Sequence, residues 1–246
     1  RNMRDSACRF RIGSTIEQLQ TRIAQMEATY RPERSDTVVS SNCPPLDAVL
    51  PQGGFLFGTL VEWFADGVGD GAVGLAIQAS RQALCTGRVL VVVDRRGQFY
   101  PPAAVEMGMD PKQLVVVRAK TQDEQFWAID QSLRCRGVGA VLAWPRRIEA
   151  ACFRRWQLAA EESGVLGLLI RPAAAKREPS WAEVRLGVET FPTGVETRRR
   201  LRLHLLRCRG VTAGRTVDVE MDDETHSMHT ISQLADPAAP RRAAGA

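Results

Sequence analysis

Lysine is almost missing from this chain. Lys and Arg together number 33 among 246 residues, and only Lys112, Lys120 and Lys176 are lysines, which leaves 30 arginines. A GC-rich genome also exchanges Lys for Arg, so the imbalance excludes no protein class by itself. It does leave any chemistry that needs an ammonium with three candidates, none of them before residue 112. Paired cysteines are missing too. Cys8, Cys43, Cys85, Cys135, Cys152 and Cys208 form no C-x-x-C, which excludes a disulfide framework and a zinc site and leaves reduced, buried thiols. Apolar runs stop at five or six residues (89–93 and 165–170), far too short to cross a bilayer. The first fifteen residues have no apolar core of a signal peptide, so the expected location is the cytoplasm. The chain opens on Arg, so the start is expected at Met3 or upstream. His226 and His229 follow an acidic stretch with no further His or Cys near, and no metal site is expected. No Ser/His/acid or Cys/His arrangement stands out; His204 reads as a packed or surface residue within a strand.

What is present fits an ordinary globular protein: 44% hydrophobic, 25% charged, and long enough for a substantial core in one large or two small domains. The net charge of +5 is a weak argument for a nucleic-acid partner. Ser14 and Glu17 have capping-box spacing ahead of Ile16, Leu19, Ile23 and Met26, which share one helical face; a helix is predicted over 15–30. That face packs on its own domain or docks on a partner; a proline-containing linker to residue 45 suits docking. Strands are predicted at 58–64, 88–94, 114–118, 138–144 and 165–171, and helices at 72–86, 101–109, 121–136 and 148–163. This alternation predicts an α/β fold with right-handed crossovers and a mostly parallel sheet flanked by helices. Past Pro172 the segments 181–189, 200–208 and 215–221 alternate as strands and are expected to extend one edge antiparallel. The organisation read from this is an N-terminal helix and linker (1–37), one core domain (38–225) and a disordered tail (226–246).

In such a sheet, ligands bind beyond the C-terminal strand ends. The first of these turns carries Gly67, Gly69 and Gly71 between a strand and a helix, the context of a phosphate-cradling loop. Its side chains are missing. Ala72 and Val73 stand where Lys and Ser or Thr should follow, and Asp66 and Asp70 would repel phosphate. A Gly-rich turn that binds nothing is the plainer reading, and no cofactor is expected, ATP included. Arg146, Arg147, Arg154 and Arg155, interleaved with Phe153 and Trp156, have the footprint of single-strand binding or are the solvated face of an amphipathic helix. Lys176 and Arg177 sit in the short segment 172–180. Arg198, Arg199 and Arg200 mark the last hairpin, where 198, 200 and 202 share a face that meets phosphate or an acidic partner, or guards a sheet edge.

Residues 38–58 (VVSSNCPPLDAVLPQGGFLFG), then TLVEWF, the Gly turn, RVLVVVD, MGMDPKQLVVVR and the final strands resemble the RecA core in order, across roughly 38–222. The short, degenerate form resembles the ImuA family through VVDRRGQFYPPAA, DQSLRCRGVGAVLAWP and EPSWAEVRL. That resemblance implies a RecA-like accessory protein of the SOS response and mutagenic translesion synthesis. The implied partners are RecA, a Y-family polymerase homologue, an error-prone polymerase and DNA. Three departures from RecA matter: Ala72 and Val73 in the loop, Ala143-Trp144 where a Mg²⁺-organising acid should end a strand, and Arg96 where the catalytic Glu should stand. The two DNA-contacting loops are also reduced, to Pro145-Arg146-Arg147 and to 172–180. A non-catalytic protein is therefore expected. The alternatives are an active ATP-dependent recombinase using Lys112 or Lys120, and a binding module of the cell-division-inhibitor type on the same core.

Overall fold

A computed structural model describes residues 38–65, 69, 71–84, 87–191, 198–209, 214–222 and 228–230. The helix expected over 15–30, with Ile16, Leu19, Ile23 and Met26, lies outside the described residues, as do Gly67, His226 and residues 231–246 of the expected tail.

Strands β1 (Val38–Val39) and β2 (Phe55–Leu56) pair with each other. The main sheet is built from β3 (Leu60–Ala65), β4 (Val89–Val93), β5 (Leu114–Val117), β6 (Val138–Ala143), β7 (Leu166–Pro172), β8 (Val184–Phe191), β9 (Arg198–Cys208), β10 (Arg215–Asp222) and β11 (Met228–Thr230). Their spatial order is β11-β10-β9-β8-β3-β7-β6-β4-β5. From β8 to β5 every neighbouring pair is parallel; from β8 outward to β11 every pair is antiparallel. The β-branched and leucine runs of β4, β6 and β7 suit strands covered on both faces, and nearly all their residues are buried.

Two expectations need correction. Met228–Thr230, within the segment expected as a disordered tail, pair with the open edge of β10 as β11. β8 lies parallel to β3 and is not part of the antiparallel extension. Residues 173–183 run from the end of β7 back along β3, so β8 starts at the same edge as its parallel neighbours. Strand direction follows from that return path, which hydrophobic alternation does not encode.

The helices are α1 (Pro44–Asp47), α2 (Ala72–Gln82), α3 (Pro101–Glu106), α4 (Gln122–Arg134) and α5 (Ala150–Ser163). α2 and the β1–α1–β2 unit cover one face, over Trp63, Leu90, Leu142, Leu168 and the inner side of β9. α4 and α5 cover the other, over Leu60, Val141 and Leu169, with Phe153 and Trp156 fully buried between them and the sheet. The helix predicted at 121 is capped as its spacing requires: the Thr121 hydroxyl accepts from the Glu124 N–H at 3.1 Å, and the Glu124 carboxylate accepts from the Lys120 N–H at 2.7 Å. α5 ends at Gly164 in the left-handed region, φ 73°.

The four described cysteines are free. Burial pushes the Cys43 thiol up to about 11 and raises Cys152 and Cys208 as well, so none of these three is a poised thiolate.

α2 approaches β6 closely at Gly139, where a Cβ would lie 2.4 Å from the Ala83 carbonyl oxygen. Gly139→Ala is expected to destabilise the fold by about 1–3 kcal/mol, because a backbone atom cannot step aside. Urea unfolding checks this; a variant as stable as the parent chain would contradict the close packing.

Candidate functional site

The C-terminal ends of the parallel strands gather the turn after β3, the turn after β4 and the turn after β6. Of the Gly-rich turn, Gly69 and Gly71 are described, both in the left-handed region at φ 90° and 82°. Gly71 is the N-cap of α2 and supplies no side-chain cap. A Cβ on Gly71 would lie 2.8 Å from the Leu201 methyls, so β9 packs its leucine directly against the end of the turn. Ala72, at the position of a phosphate-loop lysine, is fully buried in the apolar core, and Val73 packs against the same core.

At the end of β4, Asp94 is 1% exposed. Its carboxylate accepts from the backbone N–H groups of Arg96 (3.0 Å) and Phe99 (2.9 Å) and from the Arg118 guanidinium. Burial pushes its pKa up, but the N–H groups of Phe99, Gln98 and Arg96, together with Arg118, outweigh that and hold the carboxyl below its ordinary range. Asp94 is thus committed to shaping its own turn. Arg96, two residues on, is exposed. At the end of β6, Ala143 is fully buried and Trp144 packs against Phe99 with ring centroids 6.4 Å apart. Among the described residues no cluster of His, Cys, Asp and Glu has the makings of a metal site. Ala72, Val73, Arg96 and Trp144, where the RecA resemblance implies phosphate-binding, metal-binding or catalytic groups, carry neither carboxylate nor ammonium.

Two of the three lysines sit on the wrong strand for such a role. Lys112 precedes β5 and Lys120 follows it, and β5 is four strand spacings from β3, about 19 Å. Lys176 lies over Gly187 of β8, its Nζ 3.7 Å from where a Cβ would be.

The arginines singled out in the sequence separate into distinct places. Arg155 leaves the α5 surface to bond Asp130 of α4 at 2.9 Å, and Arg154 stacks on Trp181 with its guanidinium 4.5 Å from the ring. Arg146 and Arg147 are exposed in the turn after β6, and Arg177 is exposed in the β7–β8 crossover. On β9, Arg198 and Arg202 face carboxylates across the ladder: Arg198 bonds Glu220 at 2.8 Å, and Arg202 bonds Asp218 through two nitrogens at 2.6 and 2.9 Å. Arg200 stands opposite Glu220 in the same register, and Arg199 lies half-buried beside it. Two of the arginines on the charged face of β9, Arg198 and Arg202, are thus answered within the sheet.

A buried ionic group was not legible beforehand. Glu62 in the middle of β3 and Arg171 at the end of β7 are both fully buried and bond at 2.6 Å. Glu62 also accepts from Arg185 of β8 (2.7 Å) and Ser180 (2.6 Å), while Arg171 donates to Glu178 and to the Arg146 carbonyl (3.1 Å). This group ties the crossover 173–183 to β3 and to the turn after β6. A lone Glu in LVEWFA and a lone Arg in LGLLIRP, each inside an apolar strand, are the signal that could have exposed it.

No family model matches the chain. Protein ImuA from two strains of Caulobacter vibrioides (NA1000 / CB15N, and ATCC 19089 / CIP 103742 / CB 15) is 27% identical to it over 224 residues, covering 81% of this chain and 91% of theirs. The chain is similar to ImuA over most of its length. Among solved structures, the crystal structure of the RadB recombinase matches with a TM-score of 0.61 at 16% identity, covering 79% of this chain and 100% of that one. The fold of this chain is RecA-like, with the antiparallel strands at its C-terminal end.

Proposed function

We propose that this chain is a RecA-like accessory protein of SOS-induced mutagenic translesion synthesis that hydrolyses no ATP and works in the cytoplasm through contacts with other proteins. The observation that carries the reading is the turn after β4. Asp94 is bound up by backbone N–H groups and Arg118, and the next acid position holds Arg96. A guanidinium cannot take a proton from water, and phosphoryl transfer needs a neutralising lysine, a metal and an oriented water. Ala72, Val73 and Trp144 supply none of the three. What stays intact is a rigid sheet with well-packed faces, which serves as a scaffold for docking. The partners that the resemblance to ImuA implies are RecA, a Y-family polymerase homologue and an error-prone polymerase. No described helix is long and apolar enough to cross a membrane.

The test is retention of each purified candidate partner on the immobilised full chain, alone and with single-stranded DNA. Capture of at least one protein without DNA is the expected result. Capture of DNA alone would overturn the docking reading.

A further inference from the structure

Two sets of arginines in this fold differ in their partners. Arg118, Arg134, Arg155, Arg171, Arg185, Arg198 and Arg202 each bond a carboxylate. A second set stands at the C-terminal edge of the sheet. In spatial order these are Arg177 after β7, Arg146 and Arg147 after β6, Arg95 and Arg96 after β4, and Lys120 after β5. Arg95 is half-buried and the others are exposed, and no side chain among them bonds a described residue. Neighbouring strands bring these turns together, so the cations form a row three strand spacings long, about 14 Å. The Phe99–Trp144 pair fixes the two central turns against each other, and Tyr100 beside them is 67% exposed.

Like charges gathered on adjacent turns repel one another, which costs stability without return inside this chain. Planar guanidinium groups recover that cost when they meet carboxylates bidentately. We propose that this row is a docking surface for a short acidic segment of a partner protein, with an apolar or aromatic residue of that segment on Tyr100. At about 3.3 Å per residue, 14 Å accommodates four or five residues of extended chain. The row is fenced on the helical side by exposed Asp123, Glu124 and Glu149, at the start of α4 and just before α5, and it stops at the edge strand β5. A nucleic-acid strand carries charge on every residue in both directions and would meet those carboxylates or run off the edge. A peptide can confine its charge to the length of the row. The proposal rests on the docking reading above and gives it a surface and a partner chemistry.

The test uses the full chain and a fluorescein-labelled peptide of sequence Glu-Asp-Glu-Asp-Leu-Phe, followed by fluorescence anisotropy. Arg96→Glu with Arg147→Glu is expected to weaken binding by at least roughly tenfold. Arg209→Glu with Arg215→Glu makes the same charge change at the opposite edge, where β9 ends and β10 begins, and is expected to leave binding unchanged. All four side chains are exposed, so circular dichroism should show every variant folded. Equal losses in both double variants, no binding by the parent chain, or displacement of the peptide by oligo(dT) more readily than by unlabelled peptide would each overturn the proposal. ATP turnover by the chain would sink the docking reading itself; a silent chain that ignores the peptide would sink only this one.

Discussion

Replacing Glu62 by alanine is expected to lower the unfolding free energy by about 3–5 kcal/mol. The carboxylate is fully buried in the central strand β3 and accepts three hydrogen bonds, from Arg171, Arg185 and Ser180. Its loss leaves the Arg171 guanidinium buried with Glu178 as its one remaining carboxylate partner, and Arg171 Nε already has no partner. An uncompensated buried charge is far more costly than a lost attraction. The group also anchors Ser180 and Glu178, so the crossover 173–183 is expected to loosen along with the global loss. The pair Glu62→Leu with Arg171→Met removes one charge of each sign and is expected to cost less than Glu62→Ala alone. Urea unfolding of the three proteins decides it. A Glu62→Ala midpoint equal to that of the parent chain would show that the charge is hydrated or compensated in some other way.

Trp156→Ala is expected to cost a similar amount, about 3–5 kcal/mol, by a different route. Trp156 is fully buried on α5 and meets Phe126 of α4 edge to face, with centroids 5.1 Å apart. Truncation leaves a cavity between two helices and the sheet, and removes an aromatic pair worth about 0.5–1.5 kcal/mol beyond its buried area. The Arg155–Asp130 bond and the Ser163 hydroxyl on the Leu133 carbonyl also tie α4 to α5, but neither fills the space the ring leaves. Trp127→Ala on the outer face of α4 is the control: that ring is 66% exposed, and its loss is expected to stay within about 0.5 kcal/mol. Equal midpoint shifts for the two tryptophans would contradict the assignment of α5 as a core-bearing helix.

The parallel half of the sheet was legible because its strands are runs of β-branched and leucine residues separated by helical spacing, and because capping signals at Thr121 and Glu124 appear where the structure uses them. The β1–α1–β2 unit and β11 were not. They are two to four residues each, shorter than any window in which period 2 or 3.6 can be seen. The parallel direction of β8 depends on the path of 173–183, and that path is held by Glu62 and Arg171 across more than a hundred residues of sequence. The site was legible in its losses, since Ala72, Val73, Trp144 and Arg96 are visible against the RecA pattern. Its additions were hidden. Arg95, Arg96, Arg146 and Arg147 become neighbours only when β4 and β6 are placed side by side. Nor could the sequence separate Arg154 and Arg155, drawn to Trp181 and Asp130, from Arg146 and Arg147, whose side chains bond no described residue.

Steady-state ATP turnover by the full chain, with and without single-stranded DNA, tests most directly whether the phosphate loop is silent. Phosphate release no faster than from a protein-free blank, and unchanged by Gly69→Val, is the expected result. Turnover at a RecA-like rate that Gly69→Val abolishes would contradict it.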